Sequence, residues 1–372
     1  MKADRPKFIG ARIQRFEDTR LLSGTARYID DIVLPNMLHL NFLRAETAHA
    51  TILDIDTSAL EDLDYPTWVF TGKDTAGLSM KAHQDVPEMQ YSEQPFLAEG
   101  KVRFVGEPVV VILAEDPYKA EDAAELVFVD YDPLPVVGTM EQARDPEMPP
   151  LFDGWKGNVI VERQMKGGDI AAAKAQAAHV IKRTYRNQRQ AGVPMECRGV
   201  VANYNRADRV LTVWSSTQMP HLVRTYISEE LGLPESRIRV VAPDVGGGFG
   251  VKGQVYADEI VIAWLAMKTG RPVKWIEDRR EHLIASIHAR DHEHTLEAYV
   301  SAEGRLLGLK ADITVDNGAY STYPFTSAGE PGMVGKVLPG PYDFQAYEAT
   351  FRAVATEAAV PLAYASTEPT TP

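Results

Sequence analysis

The sequence predicts an α+β fold, and three observations carry that prediction. Residues Pro108–Ala114 (PVVVILA) form a nearly continuous β-branched run, which is typical of a buried strand. Residues 293–300 and 307–315 alternate in polarity on either side of an Ala-Glu-Gly turn, as in a β-hairpin. Residues Pro220–Leu231 place apolar side chains three to five positions apart, as in an amphipathic helix. Strands and helices therefore occur in a mixed order and not as repeated βα units.

Size, charge and cysteine content narrow the classes of function. A chain of 372 residues can form two or three domains with their own cores. Its net charge of −13 disfavours nucleic acid and anionic membranes as partners. Cys197 is the only cysteine, so the chain can form neither an internal disulfide nor a cysteine-based zinc or iron–sulfur site. Without a signal-peptide core or an apolar run of about 20 residues, we expect a cytoplasmic protein with no membrane insertion.

The first part of the chain contains the elements of a small α/β unit. We predict strands at 37–44, 108–114 and 126–131, with a short alanine-rich helix at 119–125. Residues 133–150 contain five prolines and show no clear periodicity. We interpret that segment as a linker or as a crossover on the surface.

The second part is predicted to mix strands with helices. The predicted strands lie at 180–187, 199–205, 210–215, 238–241, 273–276, 293–300, 307–315 and 347–355. The predicted helices lie at 168–178, at 220–231 and at about 254–268. Asp169 is the expected N-cap of the first of these helices. The final residues, 361–372, are polar and proline-rich, and we expect them to be disordered.

The glycine loop at 246–253 (GGGFGVKG) is the most informative stretch of the chain. Three consecutive glycines allow backbone N–H groups to approach and converge on an anionic ligand. A predicted strand leads into the loop and a predicted helix follows it, as in many phosphate-binding sites. Phe249 interrupts the glycines with a large ring, which is unusual for a flexible linker. The loop predicts an anion-binding site, and a purely structural turn is the alternative.

The glycine loop also matches part of two nucleotide-binding motifs. Gly248, Gly250 and Gly253 fit the dinucleotide fingerprint, and Glu277 lies near the end of the next strand. An NAD-binding Rossmann dehydrogenase is therefore one hypothesis, although the mixed order of the elements argues against it. A Walker phosphate loop is excluded, because Lys252 is followed by glycine and not by Ser or Thr.

Polar residues beside two other strands are further candidates. Gln218 offers a donor and an acceptor just after a strand, which is a common position for cofactor contacts. Ser216 or Thr217 is a candidate cap for the helix that follows. Glu196 and Arg198 precede the strand at 199–205, and we interpret them as a structural ion pair.

Three histidines close together in the sequence do not make a convincing metal site. His292 and His294 would lie on one face of a strand, and His288 is nearby. No further ligand joins them at helical spacing, and Arg290 disfavours a bound cation. We therefore predict no metal-ligating side chains, and we find neither a Ser–His–Asp arrangement nor a pair of catalytic carboxylates.

A series of short motifs, taken in order, makes the chain resemble a known family. The motifs are RFED at 15–18, LSG at 22–24, YIDD at 28–31, HATI at 49–52, VGEP at 105–108, AEDAAE at 120–125, MECRG at 195–199, STQ at 216–218, the glycine loop, and PVKW at 272–275 followed by Asp278 and Arg279. Together they are similar to the large subunits of the molybdenum hydroxylases. That family includes xanthine dehydrogenase, aldehyde oxidase and aerobic carbon monoxide dehydrogenase.

The resemblance covers about residues 10–360 and implies a division into domains. The implied segments are a lead-in at 1–22, a small α/β hammerhead domain at 23–137, a linker at 138–160, an incomplete first molybdopterin-binding domain of mixed strands and helices at 161–360, and the tail at 361–372. The resemblance also implies a molybdopterin cofactor with molybdenum, in the cytosine dinucleotide form. Iron–sulfur clusters and FAD are implied only on partner subunits, a small and a medium one.

The resemblance assigns roles to five residues. It implies that Gln218 hydrogen-bonds an oxo ligand of molybdenum and is the catalytic residue of this chain. It implies that Gly247, Gly248, Phe249 and Gly250 approach the metal and the pterin through backbone N–H groups. Enzymes of this family oxidise aldehydes, N-heterocycles or carbon monoxide with water as the oxygen source.

The chain also departs from the family pattern, because family large subunits are roughly twice as long. The second molybdenum-binding domain, which carries the catalytic glutamate, is absent from this sequence. We therefore expect a truncated or frameshifted product, or one part of a split subunit, that is inactive alone, associates with the missing C-terminal half and exposes apolar surface. The alternative is a non-catalytic remnant that acts only through association with partners.

Overall fold

A computed structural model describes residues 9–81, 86–321, 324 and 327–358, and the backbone of 361–362. The strands are β1 Leu38–Arg44, β2 Ala50–Asp56, β3 Trp68–Thr71, β4 Ser79–Lys81, β5 Glu93–Pro95, β6 Lys101–Val102, β7 Pro108–Ala114, β8 Phe128–Pro133, β9 Val159–Gly167, β10 His179–Asn187, β11 Gln190–Ala191, β12 Gly199–Asn205, β13 Val210–Ser215, β14 Ile238–Val241, β15 Val273–Ile276, β16 His288–Ala289, β17 His292–Val300, β18 Leu306–Asp316, β19 Ala346–Val354 and β20 Pro361–Leu362. The helices are α1 Asp18–Leu22, α2 Pro117–Glu125, α3 Met140–Arg144, α4 Ile170–Gln176, α5 Pro220–Leu231, α6 Ala257–Thr269, α7 Arg279–Ala285 and α8 Gly329–Val337.

A seven-stranded sheet combines strands from both parts of the chain, in the order β14-β13-β12-β15-β1-β7-β3. Every residue of β7 is buried, as its continuous β-branched run predicts. The two parts meet where β1 pairs with β15 in parallel. Helix α6 packs on β12, β13 and β15, and its apolar side chains join theirs in the largest core cluster. The sheet therefore crosses the predicted linker and does not divide there.

A five-stranded sheet, in the order β10-β17-β18-β19-β9, lies entirely in the second part. The predicted hairpin is confirmed as β17 and β18, which pair in antiparallel fashion. Helices α4 and α8 pack against this sheet. Strand β10 forms one edge and is exposed along its whole length, including Val180, Ile181 and Tyr185.

Smaller sheets complete the fold. Strands β6, β2 and β8 form one three-stranded sheet, β11, β16 and β20 form another, and β4 pairs with β5. Helix α2 packs on β1 and β7. Within the described residues, no helix combines the length and the apolar character that a membrane crossing requires.

Several element boundaries differ from the predictions. Helix α6 starts at Ala257, after the glycine loop has continued in irregular structure. Asp169 is confirmed as an N-cap, since its side chain accepts from two backbone N–H groups of α4. The predicted side-chain cap of α5 is wrong, because its N-cap residue is Met219. The hydroxyl of Thr217 accepts from the backbone N–H of Met219 instead, just before the helix.

Two predicted segments without regular structure contain short elements. The segment 138–160 contains α3 and the first residues of β9. Within the predicted disordered tail, Pro361–Leu362 pairs with His288–Ala289 as strand β20. Residues 363–372 lie outside the described residues.

Candidate functional site

The glycine loop and Gln218 are brought together by two neighbouring strands. Strands β13 and β14 pair in parallel, with Trp214 opposite Val241. Both strands therefore end at the same edge of the seven-stranded sheet, where ligands commonly bind in open sheets. The segment that contains Gln218 follows β13, and the glycine loop follows β14. The sheet topology thus places the predicted site residues at one place.

The loop adopts a backbone conformation that glycine favours at several positions. The φ angles are 101° at Gly247, 50° at Phe249 and 83° at Gly250. A left-handed conformation costs a residue with a Cβ roughly 1–2 kcal/mol, so Phe249 is held there by its surroundings. Phe249 is 64% exposed, so burial of its side chain does not stabilise that conformation. The loop shape is therefore imposed by contacts at its ends.

Close packing also requires glycine in the loop. A Cβ on Gly248 would lie 2.6 Å from Oε1 of Gln218. A Cβ on Gly247 would lie 2.9 Å from the ring of Phe249 and 3.1 Å from Cβ of Pro194. Real Cβ atoms do not approach other atoms this closely without displacing them. Glycine at 248 thus allows the Gln218 side chain to lie directly against the loop.

Within the described part of the chain, the backbone amides of residues 246–250 divide into one that is used and four that are free. The N–H of Gly246 donates to Oε2 of Glu196 at 2.8 Å. Among the described residues, no acceptor is within hydrogen-bonding reach of the N–H groups of Gly247, Gly248, Phe249 and Gly250. Four such amides in succession are available to a ligand with acceptor atoms.

Gln218 faces the same space with a side chain that is not committed elsewhere. Its backbone N–H donates to the carbonyl oxygen of Lys252 at 2.8 Å, which fixes the residue against the loop. Its side chain is exposed and makes no hydrogen bond within the described part of the chain. The amide can therefore donate to, or accept from, a group bound over the loop.

Glu196 joins the loop to the end of β13. Its Oε2 accepts from the hydroxyl of Ser216 at 2.7 Å, from the N–H of Gly246 at 2.8 Å and from Nζ of Lys252 at 2.8 Å. Its Oε1 accepts from the N–H of Ile29 at 3.3 Å. Burial alone would raise the pKa of Glu196, but the donors from Lys252, Ser216 and Gly246 outweigh burial and hold that pKa below its usual value.

Lys252 is fully buried and paired with Glu196. Its side chain has 0% exposure, whereas lysine is almost never buried to this extent without a partner. Burial lowers the pKa of Lys252, and the nearby carboxylate of Glu196 opposes that shift. The expected ion pair between Glu196 and Arg198 is wrong, since each residue pairs with other groups.

Arg198 belongs to a second buried network, behind the loop. Its Nε and Nη2 donate to Oε1 of Glu277 at 2.9 and 2.5 Å, and its guanidinium lies 3.9 Å from the ring centre of Tyr256. Burial would raise the pKa of Glu277, but the charge of Arg198 and the hydrogen bonds of Arg198 and His282 lower it to about 2. The network ties β12 to β15 beneath the site.

Cys197, Glu277 and His282 bring potential metal-ligand atoms within 4.8 Å of one another. The ring nitrogens of His282 are already bonded, Nδ1 to Glu277 at 2.7 Å and Nε2 to the carbonyl of Gly192 at 2.8 Å. Arg198 occupies the other oxygen of Glu277. A cation here would displace a guanidinium, so the cluster is better explained as an ion-pair network.

A small cavity lies beside this network. Its volume is about 10 Å³, and Lys252, Thr217, Gln254 and Glu259 are among its lining residues. Both amide atoms of Gln254 are buried, and neither has a hydrogen-bond partner among the described residues. Burial raises the pKa of Glu259 to about 7, although Ser215 donates to its Oε1 at 2.5 Å.

The histidines of β17 lie on the other sheet and do not form a metal cluster within the described residues. Nε2 of His292 bonds Oε1 of Glu330 at 2.9 Å, and His294 stacks on His292 with ring centres 5.4 Å apart. Burial, followed by the charge of His292, lowers the pKa of His294 to about 4. This pair belongs to the five-stranded sheet, whereas the glycine loop follows a strand of the seven-stranded sheet.

The strands around the loop do not match the unit that the dinucleotide fingerprint requires. In a Rossmann unit the strands before and after the loop and its helix are adjacent and parallel. Here β14 precedes the loop and β15 follows helix α6, but β13 and β12 lie between them in the sheet. The fingerprint at 248–253 therefore occurs in a different topology.

Glu196 and Lys252 are the site residues whose roles the sequence did not indicate. They are 56 positions apart, and no local pattern connects them. Lys252 was noted only because it breaks the Walker motif, and Glu196 only for its neighbouring opposite charge. A buried lysine inside a glycine loop is the signal that points to a buried acidic partner.

Comparison with protein families gives two matches that together cover most of the chain. Residues 151–367 match the molybdopterin cofactor-binding domain. Residues 23–135 match the a/b hammerhead domain of aldehyde oxidase and xanthine dehydrogenase. The order of the two matches confirms the predicted fold class, a hammerhead domain followed by a molybdopterin-binding domain.

Individual relatives agree with these matches. The chain is 40% identical to subunit gamma of the 6-hydroxypseudooxynicotine dehydrogenase complex of Paenarthrobacter nicotinovorans, over 95% of this chain and 45% of the relative. It is 34% identical to the carbon monoxide dehydrogenase large chain of Afipia carboxidovorans, over 92% of this chain and 43% of the relative. The crystal structure of quinoline 2-oxidoreductase from Pseudomonas putida 86 superimposes with a TM-score of 0.90 at 38% identity, over 94% of this chain and 44% of that one. The chain thus spans less than half the length of these relatives.

Proposed function

The chain belongs to the molybdenum hydroxylase family, and from that premise we propose that Gln218 and the glycine loop form its share of a molybdopterin site. The observation that carries this proposal is the row of four N–H groups at 247–250 for which no described residue supplies an acceptor. They lie beside the uncommitted amide of Gln218 at the end of parallel strands. This arrangement suits a ligand rich in acceptor atoms that must come close to the backbone.

The residues present fit such a prosthetic group. Side chains at 247 and 248 would collide with Pro194, with Phe249 and with Gln218, so the backbone itself is the binding surface. Backbone N–H groups stabilise negative charge without a cation, which agrees with a chain of net charge −13. In this proposal the chain supplies no side-chain ligand to the metal.

The prosthetic group and the residues of the chain contribute different parts of the proposed reaction. When bound, molybdopterin with its molybdenum supplies the two-electron oxidation of a substrate carbon, with water as the source of oxygen. The amides of Gly247, Gly248, Phe249 and Gly250 hold oxygen atoms of the group in place. The side-chain amide of Gln218 donates a hydrogen bond to an oxygen at the reacting centre and fixes its orientation. The cytosine dinucleotide form is the form we propose.

We favour an N-heterocycle as the substrate class over an aldehyde or carbon monoxide. Support comes from relatives at 40% and 38% identity whose names contain a nicotine derivative and quinoline, whereas the carbon monoxide dehydrogenase large chain is 34% identical. We further propose that the chain works in a complex with an iron–sulfur subunit, an FAD subunit and the C-terminal half of a large subunit. By itself it is expected to be inactive.

Metal and cofactor analysis of the complex purified from its natural source tests the proposal. We expect molybdenum and a pterin in equal amounts, near one of each per copy of this chain. Turnover is then measured with quinoline, with an aldehyde and with carbon monoxide, using a dye as the electron acceptor. A complex that contains this chain but neither molybdenum nor pterin contradicts the proposal.

A further inference from the structure

Lys252 contacts two different parts of the site, one through its side chain and one through its backbone carbonyl. Its side chain reaches Oε2 of Glu196 at 2.8 Å. Its backbone carbonyl accepts from the N–H of Gln218 at 2.8 Å and from the hydroxyl of Thr217 at 3.4 Å. One residue of the glycine loop therefore holds both the segment that contains Gln218 and a buried carboxylate.

Glu196 completes a closed set of contacts around the loop. The same oxygen that binds Lys252 accepts from the N–H of Gly246 and from the hydroxyl of Ser216. Gly246 and Lys252 stand at the two ends of the segment that carries the free amides. Ser216 stands two residues before Gln218. The carboxylate thus fixes both ends of the loop and the segment opposite it through a single atom.

The loop needs this fixation because its conformation is costly. Phe249 has a φ of 50°, and a residue with a side chain keeps such an angle only when its surroundings determine it. Inside the loop, the N–H of Val251 bonds the carbonyl of Gly248 at 3.0 Å, and the N–H of Gly253 bonds that of Gly250 at 2.9 Å. These bonds close two turns but leave the direction of the loop relative to Gln218 undetermined.

An ion pair in this position is not explained by stability alone. Replacing a buried ion pair by apolar residues of similar volume is often neutral or stabilising. A hydrophobic pair would not, however, accept from Gly246 and Ser216, nor would it draw the two ends of the loop to one point. Retention of the pair is better explained by the geometry that it imposes.

We propose that Glu196 and Lys252 are positioning residues, which hold Gln218 and the four free amides in one fixed arrangement around the prosthetic group. This inference rests on the proposed function of the site. The pair does not touch the group itself and acts through the loop. Its loss is expected to alter how the group is held before it alters the fold.

The test uses the complex purified with wild-type chain and with three variants. Lys252→Met keeps the backbone carbonyl and the apolar stem but removes the ammonium group. In the double variant Glu196→Gln with Lys252→Met, no buried charge is left unpaired, and Gln can still accept from Gly246 or Ser216. Lys274→Met is the matched control, since Lys274 is also buried, and its Nζ bonds the carbonyl of Asp30 at 2.6 Å and the carboxylate of Asp30 at 2.7 Å instead of a residue that holds the loop.

The measurements are molybdenum and pterin content, the EPR spectrum of the partly reduced metal, and the melting temperature. We expect the double variant to melt near the wild-type temperature, to retain about tenfold less molybdenum and to show an altered EPR spectrum in the fraction that retains it. Lys252→Met should show the same changes together with a lower melting temperature. Lys274→Met should lower only the melting temperature.

The outcomes separate the inference from the proposed function. A wild-type complex without molybdenum contradicts the proposed function. A wild-type complex with molybdenum, together with a double variant of unchanged content and EPR spectrum, overturns the positioning role alone. An equal loss of molybdenum in Lys274→Met also overturns it, because general destabilisation then accounts for the effect.

Discussion

Gly248 has no room for a side chain because Oε1 of Gln218 lies 2.6 Å from where a Cβ would be. The backbone at 248 does not have a positive φ, so alanine is compatible with its conformation. Glycine is therefore required at position 248 by the lack of space and not by the backbone conformation. Either Gln218 or the loop must move if a methyl group is added.

Gly248→Ala is predicted to lower turnover of the complex by about a hundredfold, because a displacement of about 1 Å at a reacting centre can have an effect of that size. The melting temperature should change little, since Gln218 is exposed and can move outward. Gly329→Ala is the matched control, because a Cβ there meets nothing within 4 Å and its φ is ordinary. Equal activity in both variants would show that Gln218 is not needed where it lies.

Gln218→Glu is predicted to reduce turnover by about a hundredfold while the chain remains folded. The substitution keeps the size of the side chain and the backbone bond to Lys252, but an ionised carboxylate cannot donate a hydrogen bond. The loss of one preorganised donor has an effect of that order in other enzymes. Gln218→Asn, which keeps the donor on a shorter side chain, should retain more activity than Gln218→Glu. The reverse ranking would contradict the donor role.

Glu259→Gln is predicted to remove part of the pH dependence of stability. Burial raises the pKa of Glu259 from 4.5 to about 7, so the folded state holds a proton that the unfolded state releases above pH 4.5. Stability from this group therefore falls as the pH rises from about 4.5 to about 7, by roughly 3 kcal/mol in total. Glutamine does not ionise and avoids that loss.

The free energy of unfolding in urea, measured at pH 5 and at pH 8, checks this prediction. The free energy of unfolding of Glu259→Gln, compared with that of the wild type, should be higher at pH 8 than at pH 5. The exposed Glu125 provides a control, and Glu125→Gln should follow the wild-type curve. Parallel curves for Glu259→Gln and the wild type would mean that Glu259 is already ionised at pH 5.

Local patterns allowed much of the fold to be predicted. Strands β7, β12 and β13 and helix α5 begin and end where the sequence indicates, because each has a clear apolar period or run. The parallel pairing of β1 with β15 was not predicted, since it joins residues more than 200 positions apart. No local periodicity reports on such pairings.

The candidate site was predicted in part for the same reason. The glycine loop and Gln218 were recognised because glycine composition and a polar residue at a strand end are local signals. The partner of Lys252 was missed, because Glu196 becomes its neighbour only when β12, β13 and the loop assemble. Likewise, Ser216 or Thr217 was the candidate cap of α5, but the hydroxyl of Ser216 donates to Glu196 and that of Thr217 donates to the carbonyl of Lys252.

Arg198→Met is predicted to destabilise the chain by about 3–5 kcal/mol, because it leaves the carboxylate of Glu277 buried without its cation. The low pKa of Glu277, about 2, means that its contribution to stability is present above pH 4.5 and is lost as the pH falls through about 2. The difference in stability between the wild type and the variant should therefore be smaller at pH 4 than at pH 7, because the wild type begins to lose the contribution of Glu277 below pH 4.5, whereas protonation relieves the unpaired carboxylate of the variant. Urea unfolding at pH 4 and pH 7 measures this difference. Arg224→Met removes an exposed pair with Glu235 at 3.0 Å and should cost no more than about 1 kcal/mol. Equal losses in the two variants would contradict the view that the Arg198 network supports the site from beneath.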